Sequence, residues 1–259
     1  MITSKDNELI KNTVKLVKSS KRRTESRLFT AEGVRLCRDG VESGFRPELF
    51  FFTTNAKEKY SGDYEKIASD SKKICEVSQQ VFEKISDTKS PQGFFCVFNM
   101  LDKCKKPYKI NNGGRYIALD NVRDPSNVGT VLRTCEALGF DGVIMSKNCC
   151  DFYSPKVVRG SMGAVFRLPV MIADDLAAYI RSLNDLGIQA YGSTPRDAQD
   201  ITEVKFNGGV MIIGNEGSGI SDEVLAACSK RVKIPMAGRA ESLNAAAAAA
   251  ILMWEFVKQ

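Results

Sequence analysis

The sequence predicts an α/β protein in which a small α/β domain precedes a larger domain built on a parallel sheet. Short apolar segments typical of buried strands alternate with helix-like segments along the 259 residues. A segment at 101–114 (LDKCKKPYKINNGG) lacks periodicity and is rich in charge, Asn and Gly. We therefore predict domains at 1–104 and 115–259, joined by a linker at 105–114.

In the first domain, helix-like and strand-like segments each occur four times. Helices are expected at 7–18, 33–43, 63–70 and 78–85, and strands at 28–31, 48–53, 73–77 and 94–98.

In the second domain, apolar strands are separated by helices, which is typical of a parallel sheet covered on both faces. The expected strands are 115–119, 142–146, 168–172, 188–192, 209–213 and 231–234, and the expected helices are 127–138, 154–162, 174–186, 220–228 and 242–257. Because ligands of such sheets bind at the carboxyl ends of the strands, we expect the chemistry in the loops that follow them.

The composition excludes several classes of active site. The chain has no histidine, so it holds no Ser-His-Asp triad, no Cys-His pair and no HExxH zinc site. Its eight cysteines form no CxxC pair, and we predict no metal site and a reduced, cytoplasmic chain. No apolar run approaches the ~20 residues of a membrane span, so membrane insertion is not expected.

The positive charge is concentrated near the start of the chain. The net charge is +6 overall, and the first 38 residues alone hold ten basic and four acidic side chains. Such a segment favours an anionic partner, of which nucleic acid is the commonest. We expect phosphate contacts from Arg22, Arg23 and Arg27, beyond the first helix. The alternative is a solvated helix face formed by Lys11, Lys15 and Lys18.

The first polar loop follows the strand at 115–119 and continues into a helix. Ser126 or Asn127 is expected to cap that helix. Arg133 then lies one to two turns into the helix, where a fixed guanidinium would reach the loop.

The second and third polar loops follow the strands at 209–213 and 231–234. Residues 214–219 (GNEGSG) hold three glycines around Glu216, which permits a close approach of the backbone to a ligand. Residues 234–244 (IPMAGRAESLN) precede six alanines, and Ser242 is expected to cap the helix there.

Together the three loops resemble the motifs of the SpoU (TrmH) family of RNA ribose methyltransferases, within the SPOUT class. The resemblance is carried by residues 127–133, 214–219 and 234–244, in that order, and spans nearly all of 115–257. In addition, residues 28–36 (LFTAEGVRL) resemble the start of the small, ribosomal-protein-like substrate-binding domain of ribosomal-RNA members. Residues 154–164 (SPKVVRGSMGA) resemble the segment after the second catalytic strand.

The resemblance implies a fold, a cofactor and a partner. The expected fold carries a C-terminal trefoil knot with S-adenosylmethionine bound inside it, and two subunits pair through their catalytic domains. The implied reaction transfers a methyl group from S-adenosylmethionine to a ribose 2′-hydroxyl, with large-subunit ribosomal RNA as the favoured substrate.

The resemblance also implies the site residues. The expected catalytic residues are Arg133, Asn127, Glu216, Ser242 and Asn244, and the expected cofactor-binding residues are Gly214, Asn215, Gly217, Ile234, Met236 and Leu243. Because a guanidinium stays protonated and is a poor base, we expect Arg133 to orient the ribose and stabilise the developing oxyanion. Glu216 is expected to hold Arg133 in place or to assist proton removal.

Three alternatives stay open at this point. The substrate could be transfer RNA, or the chain could be a non-catalytic RNA-binding factor in ribosome assembly. An unrelated nucleotide-binding α/β protein is the third alternative, and it would leave the combined motifs unexplained.

Overall fold

The structure, a computed structural model, describes residues 1–101 and 109–258, so part of the predicted linker (105–108) lies outside the described residues. The chain forms two compact units. The first consists of Met1–Leu101 and Asp151–Arg167, and the second of Asp102–Cys150 and Leu168–Gln259. The structure thus differs from the predicted division at one segment, because residues 151–167 pack with the first unit.

The elements alternate along the chain much as the periodicity predicts. Up to residue 101 they are α1 (Glu8–Lys18), α2 (Ser20–Ser26), β1 (Leu28–Glu32), α3 (Val34–Glu42), β2 (Pro47–Phe52), α4 (Thr54–Lys59), α5 (Ser61–Asp70), β3 (Ile74–Glu76), α6 (Gln79–Ile85) and β4 (Phe94–Asn99). From residue 115 they are β5 (Arg115–Leu119), α7 (Pro125–Ala137), β6 (Gly142–Ser146), α8 (Pro155–Gly160), α9 (Ala164–Arg167), β7 (Val170–Ala173), α10 (Leu176–Asp185), β8 (Ala190–Ser193), β9 (Gln199–Asp200), β10 (Gly209–Ile213), α11 (Asp222–Ala227), β11 (Lys230–Lys233) and α12 (Ala245–Val257).

The first unit is built on a four-stranded mixed sheet in the order β1-β4-β2-β3. Its core includes a cluster of aromatic rings around Phe29, and the segment 151–167 supplies two of them. The ring centroids of Tyr153 and Phe166 lie 4.8 and 5.9 Å from that of Phe29. Tyr153 Oη also donates to the Leu101 carbonyl at 2.7 Å. These contacts explain why the segment belongs to this unit despite its distance along the chain.

The second unit is built on a seven-stranded sheet in the order β7-β6-β5-β10-β8-β11-β9. All of its pairings are parallel. The central strands β5, β6 and β10 are buried, apart from the first residue of β5, as expected for a sheet covered on both faces. The predicted parallel sheet is confirmed.

The last helix is fixed to this sheet by aromatic side chains. Phe256 of α12 lies with its ring centroid 4.7 Å from Phe206, 5.8 Å from Tyr191 and 5.9 Å from Phe140. The same helix packs against α7 and β10. This packing brings the start of α12 back to the part of the sheet where β5 and β10 end.

Four short elements were not predicted from the sequence. Helices α2, α4 and α9 have too few residues to show a hydrophobic period, and β9 has two residues. None of the described helices is long and apolar enough to cross a bilayer.

Candidate functional site

The three polar loops converge at the carboxyl edge of the second sheet. Strands β5 and β10 are neighbours with parallel register, Leu119 beside Ile213, so the loops that follow them start side by side. The third loop leaves β11, two strands away, and runs to α12, which packs on α7. The topology therefore brings together residues that are 89 and 117 positions apart in sequence.

A chain of side-chain hydrogen bonds joins one residue from each loop. Asn127 Nδ2 donates to Glu216 Oε1 at 2.8 Å. Asn244 Nδ2 donates to Asn127 Oδ1 at 3.0 Å. Asn127 is the central member and is 6% exposed, so both ends of its amide are satisfied in a buried position. Three of the five predicted catalytic residues are thus brought together.

Asn215 shapes the second loop around itself. Its Oδ1 accepts from the backbone N–H groups of Gly217 at 3.0 Å and Ser218 at 3.1 Å. Its Nδ2 donates to the Asn121 carbonyl at 2.8 Å, which ties the second loop to the first. Backbone hydrogen bonds between Asn215 and Gly219 close the turn at 2.9 and 3.0 Å.

The glycines at 214 and 219 are required by this turn. A Cβ on Gly214 would lie 2.1 Å from backbone atoms of Gly219 and Ile220. Gly219 has φ +73, a left-handed conformation that favours glycine. Gly214 therefore serves the closure of the loop itself, in addition to any role toward a ligand.

Asp120 is a buried site residue that the sequence reasoning missed. It directly follows β5, is 2% exposed, and accepts from the backbone N–H of Ser221 at 2.8 Å and from its hydroxyl at 2.7 Å. Ser221 precedes α11, so Asp120 fixes the far end of the glycine loop. Its position directly after a buried apolar strand could have indicated a role at the carboxyl edge of the sheet.

Glu216 is held as a carboxylate. Its partial burial is the largest single influence and opposes ionisation, but hydrogen bonds from Asn127 and from backbone N–H groups outweigh it and lower its pKa. These hydrogen bonds hold the carboxylate in place between the first and second loops.

Arg133 and Ser242 lie outside this network. Both side chains are exposed, and no hydrogen bond or ion pair of either is found among the described residues. In particular, Glu216 contacts Asn127 and not Arg133, so the expectation that Glu216 holds Arg133 in place is not met in this structure.

Both predicted helix caps are wrong. α7 begins at Pro125 and its cap is Asp124, whose side chain accepts from Ser126 N–H at 2.7 Å. α12 begins at Ala245 and is capped by Asn244, which accepts from the N–H groups of Ala246 and Ala247. Because Asp124 caps α7, Asn127 keeps both ends of its amide for Glu216 and Asn244. Asn244 caps α12 through Oδ1 and still donates from Nδ2 to Asn127.

The expected cofactor-binding residues differ in their exposure, and Gly214 is buried while Asn215 is half-buried. Gly217, Met236 and Leu243 are exposed, while Ile234 is half-buried. Residues 235–243 form no regular secondary structure, and no hydrogen bond of the described residues engages their backbone. Their amides and carbonyls are therefore available to a ligand.

The basic residues of the first unit behave differently from one another. Arg23 lies in α2 and is 4% exposed. Its Nε donates to Asp151 Oδ2 at 2.9 Å and its Nη1 to the Val17 carbonyl at 3.0 Å. The predicted phosphate contact is wrong for Arg23, because its guanidinium is used inside the unit. Arg22 and Arg27 are half-exposed.

Lys11 of α1 forms ion pairs in which its Nζ lies 3.5 Å from Asp6 Oδ1 and 3.8 Å from Glu8 Oε1. These exposed pairs are typical of a solvated helix face. That alternative therefore holds for Lys11.

Comparison with known proteins decides the family. The model of the "SpoU rRNA Methylase family" matches residues 114–254, and that of an "MRM3-like substrate binding domain" matches residues 7–96. A Bacillus subtilis protein named 23S rRNA (guanosine(2553)-2′-O)-methyltransferase RlmP is 30% identical over 98% of this chain and 97% of its own length. The chain belongs to the SpoU rRNA methylase family.

Solved structures of similar proteins agree with this assignment. An AdoMet-bound rRNA methyltransferase from Sinorhizobium meliloti is 29% identical with a TM-score of 0.87, covering 99% of this chain and 97% of that one. The SpoU methyltransferase AviRb from Streptomyces viridochromogenes, in complex with AdoMet, is 25% identical with a TM-score of 0.88, covering 98% of each chain.

The SpoU assignment confirms several predictions made from the sequence. The fold is an α/β fold of the SPOUT class with a parallel sheet. The chain is a methyltransferase, and S-adenosylmethionine is its methyl donor.

Proposed function

We propose that this SpoU protein methylates a ribose 2′-hydroxyl of large-subunit ribosomal RNA. The observation that carries the proposal is the hydrogen-bonded chain Asn244–Asn127–Glu216, which assembles three loops into one polar edge. The match to a substrate-binding domain at 7–96 and the activity for which the Bacillus subtilis relative is named favour ribosomal RNA over transfer RNA. Residues 1–104, together with the segment 151–167 of the first unit, are assigned to substrate binding, 105–114 to a linker and the rest of 115–259 to catalysis.

The rim of the site fits S-adenosylmethionine. Met236 and Leu243 are 39% and 37% exposed and offer apolar surface to an adenine ring. A Cβ on Gly238 would meet nothing within 4 Å, so there is open space beside the third loop. Gly214, Asn215, Gly217 and Ile234 would complete the binding surface. When bound there, the cofactor supplies an activated methyl group.

We assign Arg133 to binding the ribose that is methylated. Its guanidinium is exposed and has no partner among the described residues, so it can bind an incoming RNA. A permanently charged group of this kind orients the ribose and stabilises negative charge on its oxygen. Because a guanidinium holds its proton firmly, Arg133 is a poor acceptor of the ribose proton.

The remaining polar residues position the loops. Glu216 has a lowered pKa and accepts two hydrogen bonds at Oε1, which makes it a weak base and a good anchor. Asn127 and Asn244 connect that anchor to α7 and α12. Ser242 is exposed and is assigned to RNA or cofactor contact.

Two family features remain proposals for this chain. The return of α12 to α7 after β11 supports the predicted trefoil knot.

The second feature is pairing of two subunits. α12 exposes Ile251 (41%) and Trp254 (56%), three residues apart on one helix face. A second copy of the chain is the proposed occupant of that face. Trp254→Glu should shift the protein from dimer to monomer in sedimentation equilibrium, whereas an unchanged mass would contradict the pairing.

The proposed location is the cytoplasm, where ribosomal RNA is available in bacteria. The seven cysteines that the structure describes are free thiols, which suits a reducing compartment.

The activity is tested with the full chain and labelled S-adenosylmethionine. Large-subunit RNA, small-subunit RNA and transfer RNA are supplied separately, and the modified ribose is mapped by primer extension at low nucleotide concentration. We expect label in large-subunit RNA alone. Label confined to transfer RNA would overturn the substrate, and RNA binding without label in any fraction would favour the non-catalytic assembly factor.

A further inference from the structure

A small cavity lies in the first unit, in a region that none of the three loops contributes to. It has a volume of about 180 Å³ and is formed by the turn between α3 and β2, the end of β4 and the loop before β3. Drug-sized ligands occupy about 300 Å³ or more, while a cavity of about 150 Å³ accommodates benzene. The cavity therefore has the size of a single aromatic base.

One wall of the cavity is an ionised carboxylate. Glu48 Oε1 accepts from Lys72 Nζ at 2.6 Å and from the Asn99 amide. The hydrogen bond from Lys72, against a smaller opposing effect of burial, lowers the pKa of Glu48. Glu48 Oε2 has no hydrogen bond among the described residues. A carboxylate accepts and does not donate, so Oε2 offers acceptor sites to donors of a ligand.

The other walls suit a flat, anionic ligand. Phe45 is half-buried, with its ring centroid 5.8 Å from that of Phe166, and bases stack on such rings. Arg46 is exposed, and its Nε donates to the Asp70 carbonyl at 2.9 Å. That bond fixes the guanidinium at the rim, where its remaining N–H groups can reach a phosphate. A Cβ on Gly44 would meet nothing within 4 Å, so the rim there is open.

We propose that this cavity binds one unpaired guanine of an RNA, stacked on Phe45 and hydrogen-bonded to Glu48. Guanine presents two adjacent N–H donors, N1–H and the N2 amine, whereas adenine, cytosine and uracil each place an acceptor beside their donor. Because Glu48 Oε2 can only accept, it favours the base that presents two adjacent donors. Lys72 and Asn99, which also line the cavity, donate to Glu48 Oε1 and hold the carboxylate. Arg46 contacts the neighbouring phosphate.

The inference rests on the proposed function in one respect, namely that RNA is the substrate. It adds a site for base recognition in the first unit, separate from the residues that transfer the methyl group.

The test measures binding of labelled RNA hairpins to the full chain by fluorescence anisotropy. The hairpins share one stem and a loop of adenosines, and the central loop position is guanosine, inosine or adenosine. Inosine lacks only the N2 amine of guanosine. Glu48→Gln is compared with wild type, and Glu58→Gln, at an exposed position of α4, is the matched control. Thermal unfolding monitors the fold of each variant.

We expect wild type and Glu58→Gln to bind the guanosine hairpin about tenfold more tightly than the inosine hairpin. Glu48→Gln should lose that preference. Phe45→Leu, which keeps an apolar side chain and removes the ring, should weaken binding of all three hairpins by about tenfold. Equal binding of the three hairpins by wild type, or a guanosine preference that survives in Glu48→Gln, would overturn the inference. The assay measures RNA binding and involves no methyl transfer. The guanosine preference can therefore be tested even if the protein proves to have no methyltransferase activity on ribosomal RNA.

Discussion

Replacing Asn127 by alanine should cut the link among the three loops of the site. The substitution removes the 2.8 Å hydrogen bond to Glu216 and the 3.0 Å hydrogen bond from Asn244. A hydrogen bond to a charged group contributes about 1.5–3 kcal/mol and a neutral one about 1 kcal/mol. Glu216 and Asn244 are exposed, so water replaces part of the loss. We expect the free energy of unfolding to fall by about 2 kcal/mol, and Tm by about 4–8 °C.

Calorimetry at a series of pH values measures the loss of stability in Asn127→Ala, and a methyl-transfer assay measures its turnover. The pKa of Glu216 is lowered in the folded protein, so its contribution to stability is present above its ordinary pKa and is lost as pH falls through the lowered value. The difference in Tm between wild type and Asn127→Ala should therefore narrow below about pH 4. Asn207→Ala, at an exposed position of the same unit, is the control. A Tm equal to wild type, together with unchanged turnover, would refute the role given to Asn127.

Three further substitutions separate chemistry from stability. Arg133→Ala should abolish methyl transfer with little change in Tm, because the side chain is exposed; turnover at the wild-type rate would remove Arg133 from the mechanism. Arg23→Ala leaves Asp151 without its partner in a largely buried pair and should lower the free energy of unfolding in urea by about 3 kcal/mol or more, while the exposed Lys21→Ala should change it little. Gly214→Ala places a Cβ 2.1 Å from backbone atoms, so binding of S-adenosylmethionine measured by calorimetry should weaken strongly; retained affinity would show that the loop can rearrange.

The position of the site could be predicted from the sequence because it does not depend on the order of the strands in the sheet. Polar residues after buried parallel strands meet at one edge whatever the order of the strands. The partners within the site were less predictable. The pairing of Asn127 with Glu216 depends on β5 lying beside β10, and the pairing with Asn244 depends on α12 returning to α7.

The basic segment shows why the charge pattern alone could not assign roles. Arg22, Arg23 and Arg27 are close in sequence, but α2 turns Arg23 inward, where Asp151 accepts from it. That acceptor lies 128 residues away and belongs to a segment predicted for the other domain. A local pattern holds no information about such a partner.

The segment Asp151–Arg167 also sets an order of events during synthesis. The chain leaves the first unit after Leu101 and re-enters it at Asp151, once β5, α7 and β6 have been made. Until then Phe29 and Arg23 lack the partners Phe166, Tyr153 and Asp151. The first unit of a nascent chain therefore stays incomplete until the ribosome has translated part of the second unit, and a fragment ending at Leu101 should be prone to aggregation and degradation.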